Sequence, residues 1–584
     1  MLRPIVLAVL APCLLAAAPC PDRNPLRRPL FGDLHVHTAF SHDASTQGTR
    51  TLPREAYRFA RGEALGLQPF DVDGRPLRTL QLERPLDFAA VTDHAELLGE
   101  VRTCETPGLP GYDAWLCRLH RVWPRASFFV MNTHVARGTG SRMGLCGPDG
   151  SHCLEAALTP WREIVDAAAE ADDRCEFTSF VAYEWTASVV GRNLHRNVIF
   201  ANQTVPRMPS SYYESTTPEA LWDDLRRECT EAGTGCDALV IPHNSNLSAG
   251  LMFQLPEDLT PEQARTRSAF EPLVEVMQHK GDSECWWGPG AEDELCAFEQ
   301  LPFDSFRGKF LPFLEGAPRR EDTTRWALLQ GIARQAEIGA NPFKLGQIAS
   351  TDTHLGTPGA VEEKAHPGHG GAGAPSPDRL PEGLPDDVFF NPGGLAVAWA
   401  EENTRASIFA ALRRREVYGT SGPRMIVRMF GGRALPDDLC ERPDFAAGGY
   451  AGGVPMGGDL PAGLEESEGA DGPAFAVSAL RDAQGARLER IQIVKGWVED
   501  GAPRERVIDV TDPAAEGADS LCRVWRDPDF DATQPAFWYA RVLEVPTPRW
   551  HSYVCRARGL DCSRFEMPET IRERAWTSPV WWTP

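Results

Sequence analysis

The sequence predicts an α/β domain followed by a β-rich C-terminal region. Between residues 30 and 425, short apolar segments alternate with helical ones, which is the pattern of an α/β fold. Several apolar segments end in His, Asp or Glu. After residue 425 the chain changes to β-type runs such as RIQIVKGW and FWYARVLEV. Residues 426–584 are therefore expected to form a second domain, or a large extension that closes against the first.

The first twenty residues have the build of an export signal. Arg3 precedes an apolar run of about a dozen residues, and small residues follow at 16–18. The run is too short to anchor the chain in a bilayer, and no second long apolar run follows. We expect a signal peptide over residues 1–20, no transmembrane anchor, and a periplasmic or secreted protein.

The cysteine content agrees with export, because disulfides persist in oxidising compartments. Of the fifteen cysteines, ten form short-range pairs that we expect to be bonded: Cys104–Cys117, Cys146–Cys153, Cys229–Cys236, Cys285–Cys296 and Cys555–Cys562. A thiolate zinc site is the competing interpretation, which the absence of a close Cys-x-x-Cys repeat disfavours.

The net charge of −23 argues against nucleic acid as the main partner, because proteins that bind it need a basic face. A small anionic substrate stays possible, since bound metal ions reverse the local potential. Charge therefore excludes one class of partner without choosing an activity.

Strands and helices can be placed along the first 425 residues. The expected strands are 87–92, 177–184, 196–200, 238–242, 272–277 and 344–350. Helices are expected to begin at the Thr-Pro pairs 159–160, 217–218 and 260–261, because threonine suits the cap and proline the first helical position. Residues 356–394, rich in Gly and Pro, are expected to form a flexible insertion, with His366 and His369 in a mobile surface tract.

Residue types that bind metals recur at strand ends. His35 and His37 point to one side of a strand, and Asp43 reaches the same place if the chain turns after Phe40. Further candidates at strand ends are Asp93, His94, Glu184, His195, His243, Asp352 and His354. Such polar groups gather at one rim of a parallel barrel, where barrels carry their active sites.

Each of these residues also has a structural interpretation. Glu184 or His195 alone could be a hydrogen-bonded structural residue, and Asp93 could only orient His94. The structural interpretation fails for the set, because so many histidines and carboxylates in a partly buried cleft are electrostatically costly without a cation.

The motifs FGDLHVHT, VTDH, IPHN and STDTH resemble the four motifs of the PHP superfamily, named for polymerase and histidinol phosphatase domains. The strings RFARGE, RNVIF, YGTSGPR, RIQIVKGW and RAWTSPVWW resemble an uncharacterised family of exported bacterial PHP-like proteins, over nearly the whole chain after the signal. This resemblance implies a distorted seven-stranded β/α barrel over residues 30–425. It also implies two or three divalent ions of manganese, zinc or iron, and phosphoester hydrolysis.

The resemblance also implies roles for individual residues. It gives metal-ligand positions at His35, His37, Asp43, His94, Glu184, His195, His243, Asp352 and His354, and Asp93 joins the candidate ligands from its place at a strand end. Glu184 falls where that superfamily has a bridging carboxylate. The ligand after the first motif could be His42 or Asp43, and we favour Asp43. His279 is off the family pattern and is a candidate substrate contact.

A metal cluster would lower the pKa of a bridging water and neutralise phosphoryl oxygens. We expect Glu184, His195 and Asp352 to serve the chemistry, with His195 as a ligand or as the group that protonates the leaving group. Arg424 and Lys280 are candidate contacts for an anionic substrate, or else ordinary salt-bridge partners. The alternatives are a metal-dependent amide or carboxylic ester hydrolase, and a noncatalytic metal-containing binding protein.

Overall fold

A computed structural model describes residues 18–584 except 139, 292, 306–315, 371–386, 463–471 and 566. Residues 1–17 of the signal peptide expected over residues 1–20 therefore lie outside the described residues. None of the described helices is long and apolar enough to cross a membrane.

The described α-helices lie mostly in the first two thirds of the chain. They are α1 His42–Ser45, α2 Pro53–Ala60, α3 Leu98–Glu105, α4 Trp115–Val122, α5 Pro124–Val135, α6 Ser151–Ala171, α7 Pro218–Leu225, α8 Pro261–Phe270, α9 Thr324–Ile338, α10 Arg405–Arg413, α11 Phe445–Gly452 and α12 Trp550–Arg558. Thr217 and Thr260 accept hydrogen bonds from the first turns of α7 and α8, which confirms these two helix starts. The predicted start at Thr159-Pro160 is wrong: α6 begins at Ser151, because its first turns already bury Cys153, Ala156 and Ala157.

Thirteen strands precede residue 425 in the described chain. They are β1 Arg28–Asp33, β2 Leu65–Phe70, β3 Pro76–Leu80, β4 Phe88–Ala90, β5 Thr178–Phe180, β6 Ala182–Trp185, β7 Arg196–Phe200, β8 Ala238–Pro242, β9 Leu273–Gln278, β10 Gly281–Asp282, β11 Gly346–Ala349, β12 Leu395–Ala400 and β13 Val417–Thr420. All six strands expected from the sequence are present, with 177–184 divided into β5 and β6.

The C-terminal region is rich in strands, as expected. They are β14 Ile426–Gly432, β15 Val454–Pro455, β16 Ala474–Leu480, β17 Leu488–Glu499, β18 Ala502–Asp509, β19 Ser520–Arg526, β20 Ala536–Glu544, β21 Thr547–Pro548, β22 Thr570–Ile571, β23 Arg574–Thr577 and β24 Val580–Trp582. These strands extend the first part of the molecule, because the largest sheet has the order β18-β17-β20-β23-β13-β12-β1-β4-β5.

The structure is a mixed α/β fold, and the strands of the described residues do not close into one hydrogen-bonded barrel. β1, β4 and β5 are parallel neighbours, whereas β6, β7 and β8 form a separate antiparallel sheet. β9 and β11 pair in parallel in a third sheet. Packing of β1 on β4 requires glycine at residue 32, since a Cβ there would lie 2.3 Å from the ring of Phe88.

Seven disulfides stabilise the described chain. The five predicted short-range pairs are confirmed. Two long-range bonds were not predicted: Cys20–Cys175 and Cys440–Cys522. Cys20 is the last residue of the expected signal peptide 1–20, so its bond to Cys175 is at odds with that boundary. A disulfide set of this kind is typical of proteins from oxidising compartments.

One buried carboxylate joins the two parts of the chain. Glu284 Oε1 accepts hydrogen bonds from Arg325 Nη2 at 2.6 Å and from the Tyr539 hydroxyl at 2.6 Å. Its Oε2 accepts from Arg541 Nη1 at 3.0 Å and from Trp576 Nε1 at 2.8 Å. Because α9, β20 and β23 all donate to one acidic group, their relative positions depend on it.

We predict that Glu284→Ala lowers the free energy of unfolding by about 3–5 kcal/mol, because it removes the more deeply buried of the two carboxylates that pair with Arg325 and Arg541, and leaves only Asp293. Urea unfolding with the disulfides intact measures the change. The control is Glu228→Ala, which removes an exposed pair with Arg227 and is expected to cost less than about 1 kcal/mol. Equal effects in the two variants would contradict the assigned role of Glu284.

Candidate metal centre

The strand ends bring together a cluster of imidazoles and carboxylates, which we call the centre. Backbone bridges join Val36 to Thr353 and His94 to Glu184, so the segment after β1 meets the segment after β11, and the segment after β4 meets β6. The centre consists of His35, His37, Asp43, His94, Glu184, His195, His243, His279, Asp352, His354 and His369. Every sequence-predicted metal ligand except Asp93 lies in it.

Glu184 lies in the middle of the imidazoles and is 1 % exposed. Its Oε1 is 2.9 Å from His195 Nδ1, and its Oε2 is 2.9 Å from His94 Nδ1 and 3.3 Å from His37 Nε2. In spite of these short distances, neither oxygen of the Glu184 carboxylate has a hydrogen-bond partner of suitable geometry in the described residues. The nitrogen and oxygen lone pairs therefore face a shared space, as they do around a cation.

Asp352 is the second carboxylate shared by several groups. Its Oδ1 lies 3.1 Å from His37 Nε2 and 3.3 Å from His35 Nε2. Its Oδ2 lies 3.0 Å from His279 Nε2 and forms an ion pair with Lys280. The residue has a φ of +53°, a left-handed conformation that costs energy outside glycine and is common at functional sites.

The outer ring nitrogens have hydrogen-bond partners that fix the tautomers. His35 Nδ1 lies 3.1 Å from Glu275 Oε1, and His37 Nδ1 lies 2.9 Å from Ser41 Oγ. Ser41 Oγ in turn donates to Asp93 Oδ1 at 2.7 Å, so His37 Nδ1–H is the donor to Ser41. In the neutral form each of these histidines would direct an Nε2 lone pair at the centre, which is the arrangement of metal-binding histidines.

His94 and His354 meet on Asp43. Their Nε2 atoms lie 3.1 Å and 3.0 Å from Asp43 Oδ2. His354 Nδ1 is 2.9 Å from the backbone oxygen of Asp352, so Nδ1 carries a proton. The two Nε2 atoms share Asp43 Oδ2, which they could do by N–H donation or around a bound cation. Asp43, which we favoured over His42, is the residue in the centre.

Burial and neighbouring charges set the protonation states of the centre. Burial lowers the pKa of His37 to about 3, and adjacent imidazoles add to this effect. Burial alone would raise the pKa of Glu184 and Asp352, but nearby histidines outweigh burial and hold both values well below the usual range. At neutral pH these carboxylates are charged and His37 is a neutral nitrogen donor, the forms in which they bind cations.

Two residues of the site were missed from the sequence. Glu275 is a buried acid in the middle of β9, and its unusual charge in an apolar strand was the available signal. His369 was expected in a mobile tract, but it is 4 % exposed and its ring stacks on His279. Nitrogens of His279, His354 and His369 all lie within 4.8 Å of one another. Residues 371–386 of the expected insertion lie outside the described residues.

Two predicted site residues lie outside the centre. Asp93 accepts from the Thr38 amide at 2.7 Å, the Thr38 hydroxyl at 2.7 Å and Ser41, so it positions the loop behind His37. The Arg424 guanidinium donates to the backbone oxygens of Arg84 and Pro85. Arg424 therefore does not contact the centre, because loop carbonyls satisfy it. Lys280 and His279 do line the centre.

The cavity at the centre has a volume of about 50 Å³. It is lined by eight residues of the centre together with Lys280, Asn193 and Phe390. A space of this size holds small ions and water, and a larger substrate would have to bind over its mouth.

The sequence of the whole chain shows which family carries this centre. The family described as protein of unknown function DUF3604 matches residues 24–515 and 512–584. The chain belongs to the DUF3604 family. No curated protein and no solved structure matches it.

The donor set of this DUF3604 protein fits divalent transition metals. Imidazoles outnumber carboxylates, and nitrogen donors suit manganese, iron or zinc better than calcium or magnesium. Each of the groups His37/His94/His354, His35/His37/Glu184 and Glu184/His195/His243 has its ligand atoms within 4.8 Å of one another.

We predict that Glu275→Gln weakens metal binding by roughly 10–100-fold, because His35 loses the carboxylate that orients its ring and raises its basicity. Competition with a chromophoric chelator measures the affinity. The matched control is the exposed Glu257→Gln, which should leave it unchanged. Equal affinities in Glu275→Gln and wild type would contradict a supporting role for Glu275.

A second cavity, of about 300 Å³, lies beside Arg424 and contains Glu544. Burial raises the pKa of Glu544 from 4.5 to about 8. Between these values the folded chain holds a proton that the unfolded chain releases, so stability falls as pH rises. The largest slope for one group is about 1.4 kcal/mol per pH unit.

We predict that Glu544→Gln removes the fall in stability that Glu544 causes as pH rises, so the variant gains stability relative to wild type from pH 5 to pH 8. Urea unfolding across this pH range measures the difference. Glu499→Gln, at the exposed end of β17, is the control and should follow the wild-type profile. A wild-type profile in Glu544→Gln would show that Glu544 does not carry the proton.

Proposed function

We propose that this DUF3604 protein is a metal-dependent hydrolase that cleaves phosphate esters with two or three divalent ions of manganese, zinc or iron. One observation carries the proposal: ligand-type atoms are buried together without hydrogen-bond partners in the described residues. They are Nε2 of His35 and His37, both ring nitrogens of His243 and His279, both oxygens of Glu184, and Oδ1 of Asp43 and Asp352. Burying so many unpaired polar atoms is costly unless cations compensate them.

The contacts support a shared set of ligands. Glu184 belongs to two of the close groups, one with His35 and His37 and one with His195 and His243. This double membership suits a bridging carboxylate. Asp43, through its contacts with two histidines, would complete a further group. The absence of a thiol among these residues supports catalysis over a closed structural site, which often uses cysteine.

Bound ions in such a centre would lower the pKa of water and neutralise the phosphoryl oxygens. The protein's own residues would hold the substrate and move the proton. Lys280 lines the cavity beside Asp352 and supplies a positive group for an anionic ester. His195 contacts Glu184 with Nδ1, and its Nε2 lies 3.3 Å from Ser188 Oγ. His195 would either bind an ion through Nδ1 or, when protonated on both ring nitrogens, give a proton to the leaving alkoxide through Nε2.

We also propose that the strand ends form one rim of a distorted barrel. The parallel neighbours β1, β4 and β5, the parallel pair β9 and β11, and the bridge from Val36 to Thr353 support this arrangement around the centre. The motif resemblance to the PHP superfamily supports it from the sequence. The disulfide set supports a periplasmic or secreted location.

The test is phosphate or alcohol release from a panel of phosphate mono-, di- and triesters by manganese-loaded protein, with metal-stripped protein as control. Metal-dependent release is the expected result, and the preferred ester would narrow the substrate class. The panel includes carboxylic esters and amides, since activated water does not select phosphorus. Turnover of those alone, or silence across the panel, would contradict phosphoesterase activity.

We predict that His35→Ala loses bound metal and at least about 100-fold of kcat/KM, because a ligand and its link to Glu275 disappear together. Elemental analysis and initial rates measure the two effects on the same preparation. His152→Ala, half-buried on α6 and outside the centre, is the control. Unchanged metal content and rate in His35→Ala would contradict the assignment of the centre.

A further inference from the structure

Helices α4 and α5 expose large apolar side chains next to each other in the chain. Val122 is 84 % exposed, Trp115 68 % and Trp123 65 %, and Phe129 and Val130 are also exposed. Scattered exposed apolar residues are ordinary, but five within residues 115–130, two of them tryptophan, are a concentration typical of an interaction surface. We call these five side chains the hairpin surface.

The charge around the hairpin surface is opposite to that of the molecule. Residues 114–148 contain five arginines and no Asp, Glu or Lys, whereas the chain carries a net charge of −23. Arg118, Arg121, Arg125 and Arg137 are exposed. Of these, Arg118, Arg125 and Arg137 form no ion pair within the described part of the chain. Three exposed arginines of this segment are thus available to an anionic partner, and the acidic groups that border the segment are Asp113 and Glu105.

An apolar groove opens beside the same side chains. It has a volume of about 670 Å³ and lies between the start of α4, the middle of α5 and the turn at residues 143–145. Trp115, Phe129, Val130 and Met143 line it, with Arg137 among the lining residues. An elongated apolar chain that ends in an anionic group matches this lining.

The hairpin is held firmly on the protein. Cys117 is bonded to Cys104 of α3, and Leu116, Phe128 and Met131 are buried in the core. The inner side of the hairpin reaches the centre's neighbourhood, since the rings of His120 and Phe128 stack on His42. The exposed apolar groups are therefore presented on a fixed element.

We propose that the hairpin surface docks on an anionic lipid bilayer. Tryptophan and phenylalanine enter the interface between headgroups and acyl chains, arginines contact lipid phosphates, and the groove takes an acyl chain. Charge complementarity favours this occupant, because the basic segment is an exception in an acidic chain. The proposal concerns binding alone and does not rest on the proposed hydrolase activity.

The test is co-sedimentation of the full protein with vesicles of phosphatidylglycerol and phosphatidylcholine, compared with phosphatidylcholine alone. We expect at least about tenfold stronger partition to the anionic vesicles, weakened by added salt. Val122→Glu/Trp123→Glu and Arg118→Glu/Arg125→Glu should each reduce it by at least about tenfold. Val72→Glu, at an exposed apolar residue of the β2–β3 turn, is the matched control and should bind as wild type.

Circular dichroism and thermal unfolding establish that each variant is folded, which is expected because the substituted side chains are exposed. Failure of wild type to partition on anionic vesicles would overturn the proposal. Equal loss in the Val72→Glu control would also overturn it. Sedimentation velocity tests whether a second copy of the chain covers the hairpin surface. If wild type forms a dimer, the hairpin variants are monomers and wild type does not bind vesicles, the surface serves self-association and the lipid proposal is wrong.

Discussion

The burial of the Glu184 carboxylate among imidazoles is the constraint on which the site depends. A charged oxygen pair that is 1 % exposed needs hydrogen bonds or a cation, and it has no hydrogen-bond partner of suitable geometry in the described residues. The strand ends that carry His35, His94, His195 and His243 have to meet at this point. The short, buried strands around Glu184 therefore have two roles: they contribute to the hydrophobic core, and their ends position the polar side chains of the centre.

A surrounding layer of hydrogen bonds holds the imidazoles of the centre in place. Glu275 and Ser41 accept from the outer nitrogens of His35 and His37, and Asp93 holds Ser41 in place. Farther out, the Glu284 network joins α9 to β20 and β23. The C-terminal strands thereby continue the sheet that contains β1, and this explains why a β-rich extension accompanies the α/β part.

Much of the centre could be predicted from the sequence, because apolar strands that end in His, Asp or Glu have a clear local pattern. His35, His94, Glu184, His243 and Asp352 were found in this way, and the structure places them together. Local pattern also predicted five of the disulfides, whose cysteines are close in the chain. Long-range pairs such as Cys440–Cys522 have no local signal.

The residues that were missed or wrongly assigned depend on contacts between distant parts of the chain, which leave no local pattern in the sequence. His369 lies in a Gly- and Pro-rich segment whose composition predicts mobility, and only tertiary contact with His279 buries it. Glu275 serves through a partner 240 residues away in the chain. Arg424 was assigned to an anionic substrate from its chemistry alone, whereas two backbone oxygens take its donors. Charge type predicts what a side chain can bind, and the fold decides which partner it meets.

The most direct test of the account is anomalous diffraction at the manganese, iron and zinc absorption edges from crystals of the protein. We expect at least two peaks, each within bonding distance of imidazole nitrogens of the centre, with one peak next to Glu184. Peaks only at surface residues, or a centre in which the same imidazoles and carboxylates are joined by hydrogen bonds without any metal, would contradict the account.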